Sequence, residues 1–394
     1  MPSGSHQQSE LPQPDEAARR HSEAVEHRLI ECIGERGPIT LAEYLQTVLY
    51  EPGLGYYAVG NQKLGAGGDF VTAPELSDHF GTALAGQVAQ VLHSTGGDIL
   101  EFGAGTGALA RVLLGAQALA DFEGQYYILE PSAELQIRQQ ELLDTALPTE
   151  VFARCSWLSA LPESFTGVML ANEVIDAMPV ERFLIEKECV QQLYVSHSTA
   201  GFELLFGDPD EAVTAAVNHL QYDLRREFSE GYQSEINLLL PAWVKSVSDC
   251  LRLGLLLCID YGYPRREYYL PERSDGTLRC YYRHRVHDNL FLYPGLQDIT
   301  SDVDFTLLAE AGQAAGLDLH GFTNQGQFLL GNKLVTHADL SSVTDTRERL
   351  LAAQSVRTLT TASGMGERFK VMALSRDLEL DLDGFSALDQ SHRL

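Results

Sequence analysis

ILEFGAGTGALA, residues 99–110, runs from an apolar stretch through an acid, Glu101, into three glycines at alternate positions and then into apolar residues at helical spacing. The pattern predicts a strand, a tight turn and a helix. Gly103, Gly105 and Gly107 open backbone geometry that a Cβ forbids, so the chain can turn sharply and lie against a ligand. A turn of this kind at the end of a strand makes a nucleotide-type pocket.

Two ligand classes compete for it. Gly103, Gly105 and Ala108 fit the dinucleotide pattern G-x-G-x-x-A. Glu101, two residues before the first glycine, and the additional glycine point instead to S-adenosyl-L-methionine (SAM). A carboxylate at that position can hold the ammonium of a methionine moiety, whereas it sits badly beside a pyrophosphate. The next expected strand, YYILE, ends at Glu130, placed to bind both ribose hydroxyls. The competing structural reading is a glycine turn without a ligand and a strand-end acid in water.

The surrounding chain has 394 residues, 44% apolar and 21% charged, enough for a large core and one elaborated domain with a cap. Its net charge of -27 argues against nucleic acid as the main partner, because phosphate recognition needs a basic face. A cationic substrate suits that charge better, although the same charge also keeps proteins in solution. The cysteines at 32, 155, 189, 250, 258 and 280 form no C-x-x-C pair and no metal-ligand spacing, so neither a disulfide framework nor a metal centre is expected. The polar, Pro/Gln-rich start lacks the pattern of a signal peptide, and the apolar run near Leu255 is too short to span a bilayer. A soluble cytoplasmic protein with a disordered tip, residues 1–15, is the expectation.

Upstream of the glycine turn, apolar spacing predicts a helix over 17–34, and Thr40 with Glu43 forms a capping box for a second. Residues 49–75, LYEPGLGYYAVGNQKLGAGGDFVTAPE, are rich in Gly and Tyr and are expected to lie against a ligand. Thr72 and Glu75 read as another capping box, so Glu75 has a capping role open beside a site role. Downstream, strands alternate with helices. They are expected near 125–130, 151–155, 167–171 and 255–260, with an antiparallel pair at 317–322 and 369–375 around a helical segment at 340–360. The division that follows is a helical N-terminal cap (16–95), a main α/β domain (96–375) and an acidic tail (376–394). An insertion at 181–250, carrying two or three strands and a helix, is expected over the carboxyl edge of the sheet, where open α/β folds bind ligands.

The strand expected at 167–171 runs into Asn172, Glu173 and Asp176. Acids there can hold an amine or guanidinium, or they can serve a helix start with Asn172 as cap and Glu173 and Asp176 as dipole partners. The strand at 255–260 delivers Asp260 and Tyr261. Arg279, Arg283, His284, Arg285 and His287 form the one local basic patch. His284 and His287 lack further ligand spacing and read as substrate contacts or structural residues rather than metal ligands.

The order of GPITLAEYLQTVLYEPGLGYY, GDFVTAPELSDHFG, ILEFGAGTGALA, YYILEPSAELQIRQQ, ANEVIDAMPV, IDYGY, GTLRCYYRH, PGLQDITSDVDF and MGERFKVMALS resembles the MidA family of class I SAM-dependent methyltransferases. Its mitochondrial member assists assembly of respiratory complex I by symmetrically dimethylating an arginine. The likeness spans about residues 37–375. It implies a Rossmann-like seven-stranded sheet, SAM as cofactor, and a protein acceptor with arginine as the target. On this resemblance Glu101, Gly103, Gly105 and Gly107 hold the methionine portion, Glu130 holds the ribose, and Gly68, Asp69 and Thr72 close over the cofactor. Glu173, with Asp176 and Asn172, orients a guanidinium. Glu75, Asp260, Tyr261 and His284 contact the acceptor. The alternatives are a SAM-binding assembly factor without turnover and an NAD-dependent oxidoreductase.

Overall fold

Leu255, Leu256, Leu257, Cys258 and Ile259 are each at most 1% exposed. A run of this kind has no polar alternation because it is covered on both faces, which is the signature of a central parallel strand. The computed structural model describes residues 11–59, 72–337 and 345–394. Its main sheet comprises β1 (Asp98–Phe102), β2 (Tyr126–Leu129), β3 (Cys155–Leu158), β4 (Phe165–Asn172), β5 (Leu251–Tyr263), β6 (Asp318–Asn324) and β7 (Phe369–Arg376). Among the described residues the strand path is β6-β7-β5-β4-β1-β2-β3, and Val303–Asp304 adds a short pairing to β5. β1 to β5 pair in parallel, while β7 runs antiparallel to both β5 and β6. The mixed, mainly parallel sheet agrees with the Rossmann-like expectation, while Val303–Asp304 brings the sheet to eight strands among the described residues where seven were expected. Strand order reverses between β1 and β4, and that reversal opens a crevice at their carboxyl ends.

Helices cover both faces. On one side Asp78–Thr95 and Ala108–Gly115 bury Phe80, Leu84, Val88, Leu109 and Leu113 against Ile99, Val168 and Leu257. On the other, Leu240–Cys250 and Phe305–Ala314 pack Val244, Val247, Phe305 and Leu308 against Leu100, Met169 and Leu256. The stretch 16–95 therefore divides. Its first helices, Glu16–Arg36 and Leu41–Tyr50, pack with Leu278, Cys280 and Ile299 in a separate core, whereas Asp78–Thr95 belongs to the sheet.

The insertion folds as an antiparallel sheet of Glu181–Glu186, Cys189–Ser198, Gly201–Gly207 and Gln233–Ile236, with helix Glu211–Leu224 beside it. Ile39–Thr40 pairs with Cys189–Ser198 and joins the N-terminal helices to the insertion. Arg265, 2% exposed, anchors this layer by pairing with Asp223 at 3.1 Å, Asp304 at 3.3 Å and Glu310 at 2.5 Å. Removing any one carboxylate would leave a buried charge short of a partner. A further three-stranded sheet comprises Arg279–Tyr282, Arg285–His287 and Asp298–Thr300.

Several local expectations need correction. Residues 151–155 hold no strand over most of their length: Val151 and Phe152 donate their N–H groups to Pro148 in the short helix Thr149–Phe152, and β3 begins only at Cys155. Thr72 makes no side-chain capping bond. The long helix behind it starts at Asp78, where the Ser77 hydroxyl accepts from His79 N. Pro74 and a single helical turn at Ala73–Leu76 separate Thr72 from that helix. Thr40 and Glu43 do form a complete capping box. The helical segment expected at 340–360 is described as Thr346–Thr360, its beginning lying outside the described residues. Residues 1–10 of the expected disordered tip also lie outside them. Gln13 is described, and its carbonyl accepts from Arg283 at 3.2 Å. Residues 376–394, read from sequence as an acidic tail, lie against β6 with Leu378, Leu382 and Phe385 buried and Gln390 N donating to Phe322 O.

Candidate active site

β1 ends at Phe102, and the next residues turn through left-handed backbone: φ is +55° at Gly103 and +56° at Gly105. That conformation costs a residue with a Cβ 1–2 kcal/mol or so, and glycine nothing. Gly107 caps the following helix, with the Gln139 side chain packed behind it. Gln139 ties the loop together. Its Nε2 donates to Gly105 O at 2.9 Å and to Glu130 Oε2 at 3.2 Å, and its Oε1 accepts from Trp157 Nε1 at 2.8 Å. One glutamine thus links the glycine turn, the acid after β2 and β3. The sequence offered no signal for it beyond its place in a glutamine-rich helix.

Glu101 and Glu130 are each 3% exposed overall but reach the cavity above the turn. Glu101 accepts from the Tyr126 hydroxyl at 2.7 Å, and burial pushes its pKa up to about 7 against the opposing effect of that bond. Glu130 accepts from Ser132 N at 2.9 Å, and burial raises its pKa as well. The cavity measures about 360 Å³ and runs along the carboxyl edge of the sheet from Glu130, Pro131, Leu135 and Ser159 to Asn172, Glu173 and Ala177. This is the size of a small-molecule site.

The far end is built around the turn after β4. Glu173 has φ +53°, a strained conformation for a side chain of its kind. The turn is held by Asp260, 1% exposed, whose carboxylate accepts from Ile175 N at 3.0 Å and Asp176 N at 3.2 Å through Oδ2 and from Tyr261 N at 2.9 Å through Oδ1. Asp176 accepts a short bond from the Tyr261 hydroxyl, which also reaches Thr300 Oγ1 at 2.5 Å. Burial and the charge of Asp176 push the Glu173 carboxyl up to about 8. Burial raises Asp176 to about 6, and burial with the charges of Asp176 and Glu173 raises Asp260 well above the carboxylate range. The Asn172 amide nitrogen lies 3.3 Å from Glu173 Oε1, while its oxygen is buried with no partner among the described residues.

The structure therefore gathers Thr72, Glu75, Glu101, Gly103, Gly105, Glu130, Asn172 and Glu173 around one cavity. Gly107, Asp176, Asp260 and Tyr261 stand behind its wall as supports. Asp260 and Tyr261, expected as acceptor contacts, do not line the cavity, and their polar atoms bond the turn and Thr300. His284 lies apart from the cavity. It is exposed, with φ +59°, in the turn between Arg279–Tyr282 and Arg285–His287, and it does not line the cavity. Gly68 and Asp69 lie outside the described residues. The cavity is further lined by Tyr50, Tyr57 and Ser159, which the sequence reading did not single out.

Residues 83–323 match the family model described as "Putative S-adenosyl-L-methionine-dependent methyltransferase". A crystal structure from Burkholderia thailandensis, of a "likely methyl transferase" bound to S-adenosyl-homocysteine, is 41% identical to this chain. It covers 98% of this chain and 100% of its own, with a TM-score of 0.93. The mitochondrial protein arginine methyltransferase NDUFAF7 of Rattus norvegicus is 28% identical over 388 residues, covering 91% of this chain and 86% of the relative. The Homo sapiens protein of the same name is 28% identical over 372 residues, covering 87% and 81%. These relatives are mitochondrial, and that overturns the expectation of a cytoplasmic location. Scattered thiols and the lack of an apolar span describe a protein of the mitochondrial matrix as well as one of the cytoplasm, so the sequence features could not separate the two.

Proposed function

The chain belongs to the S-adenosyl-L-methionine-dependent methyltransferase family, and from that premise we propose that it methylates arginine in a protein acceptor, in a role linked to respiratory complex assembly. The observation that carries this reading is one cavity with carboxylates at both ends, the buried Glu101 and Glu130 toward β1 and β2, the half-buried Glu173 and Glu75 toward β4. The residues suit SAM. Among the described residues a Cβ at Gly103 would meet only Val174 Cγ2, at 3.8 Å, so these residues leave space above the turn. Glu101 would take the ammonium, the glycine turn the methionine backbone, and Glu130 the ribose hydroxyls.

SAM supplies an electrophilic methyl on a sulfonium. What the protein adds is position, which is worth several orders of magnitude in rate when reacting atoms are held in line. Glu173 pairs with the guanidinium, and the buried Asn172 oxygen takes one further N–H. Arginine keeps its charge at any physiological pH, so Glu173 aims the nitrogen rather than deprotonating it beforehand. A guanidinium beside Glu173 lowers its carboxyl from the ligand-free value of about 8, so that the paired carboxylate can take the proton that the substituted nitrogen releases. Asp260 and Tyr261 keep the turn in its strained shape.

The test is incubation of the protein with methyl-labelled SAM and extracts, soluble and membrane-complex, from cells lacking the gene. Labelled methylarginine, located by mass spectrometry and absent from mock reactions, is the expected result. Tight SAM binding without transfer to any extract would favour the non-catalytic assembly factor, and label on lysine or histidine would refute the arginine acceptor.

A further inference from the structure

Tyr50 and Tyr57 line the acceptor end of the cavity, and neither hydroxyl is available to a ligand as a free donor. The Tyr50 hydroxyl donates to Ala177 O at 2.8 Å, and the Tyr57 hydroxyl donates to Asp298 Oδ1 at 2.6 Å. The two rings stack with centroids 5.4 Å apart and planes 28° apart, and Tyr56, 1% exposed, braces Tyr57 edge-on at 5.1 Å. Burial raises the pKa of both phenols, so they stay neutral. What they bring to the cavity is aromatic surface. Ala177 follows Glu173 by one turn of chain, so the rings and the Glu173 and Glu75 carboxylates share one end of the site.

We propose that the stacked Tyr50–Tyr57 pair is the specificity-determining wall of the acceptor site, selecting a flat guanidinium over an ammonium. The proposal rests on the arginine reading above and deepens it. A guanidinium is planar and weakly hydrated, so it can lie on a ring face while its edge N–H groups meet carboxylates. A lysine ammonium is compact and strongly hydrated, and it gives up more on leaving water for an aromatic wall. Both tyrosines precede residue 83, where the family-model match begins. The wall is thus supplied by the last residue of helix Leu41–Tyr50 and the turn after it, while the cofactor end is supplied by the sheet. Their hydroxyl bonds to Ala177 and Asp298 set the wall against the β4 turn.

The test uses the full chain saturated with S-adenosyl-homocysteine and three small probes: the N-acetyl amides of arginine, lysine and citrulline, titrated by NMR. Wild type is expected to bind the arginine amide at least about tenfold more tightly than the other two, with upfield ring-current shifts on its side-chain protons. In Tyr57→Leu and Tyr50→Leu the preference over lysine should fall to within about threefold while S-adenosyl-homocysteine affinity is unchanged. Tyr57→Phe, which keeps the ring, should retain most of the preference. A preference unchanged in the folded Leu variants overturns the wall and leaves the arginine reading standing. No preference for arginine over citrulline in wild type overturns the arginine reading and the wall with it. Should the Leu variants fail to fold, the ring-current shifts decide alone: their absence from the bound arginine amide overturns the wall.

Discussion

The two ends of the cavity are built by different means. At the end proposed for the cofactor, Glu101, Gly103 and Gly105 sit on one strand and its turn, Glu130 follows the neighbouring strand, and parallel ladders with Gln139 set their spacing. At the end proposed for the acceptor, Tyr50, Tyr57, Glu75 and Glu173 come from separate parts of the chain, and the turn that carries Glu173 is held by a buried network through Asp260, Asp176, Tyr261 and Thr300. A β-α-β unit can shape a cofactor site from its own backbone, because ladders and a glycine turn leave few degrees of freedom. A site assembled from distant side chains needs polar bonds in low dielectric to hold it, and each of those is costly to lose.

The largest effect should come from breaking the backbone-built end. Gly105→Val places a branched Cβ at φ +56° in the wall of the cavity, and SAM binding by calorimetry should vanish while circular dichroism shows a folded chain. Unchanged affinity would remove the pocket from this turn. Next, Glu130→Ala should weaken SAM by about 1–3 kcal/mol, the cost of leaving hydroxyl donors without a charged acceptor. Equal affinities would place the ribose elsewhere.

The acceptor end should respond differently. Glu173→Gln removes charge but keeps size, so SAM affinity should stay near wild type while methyl transfer into extracts from gene-deleted cells falls by at least about tenfold. Normal transfer by the folded variant would reduce Glu173 to a structural residue of its turn. The smallest effect is on stability. Glu101 and Glu173 have folded-state pKa values raised to about 7 and about 8, so between pH 5 and 8 the folded chain binds more protons than the unfolded one. Their stabilising contribution is complete below the unfolded carboxylate pKa and is lost as pH rises through 7 to 8. The ligand-free melting temperature should therefore fall by a few degrees from pH 5 to 8, and Glu173→Gln should flatten part of that slope. An identical slope in the variant would mean that the Glu173 carboxyl titrates normally.

Much of the cofactor end was legible from spacing. The glycine turn, Glu101, Glu130 and the antiparallel final pair all stand where residue pattern placed them, because each depends on neighbours a few residues away. Thr72 shows the limit: its letters match a capping box, but Pro74 and a single-turn helix intervene and Ser77 caps the long helix instead. Residues 151–155 show another, since a short apolar run reads alike as strand or helix until its hydrogen-bond partners are known.

By itself the sequence determined the alternating sheet, the glycine turn and the acids beside it, since strand period and φ > 0 positions are properties of consecutive residues. Only the tertiary structure decided that Asp260 grips backbone N–H groups, that His284 lies on an exposed turn, that Gln139 ties the glycine turn to Glu130, and which residues of the 49–75 segment, Tyr50 and Tyr57 among them, line the cavity. Those roles depend on which groups burial brings together across long stretches of chain. No spacing records a hydrogen bond that exists only once water has been excluded.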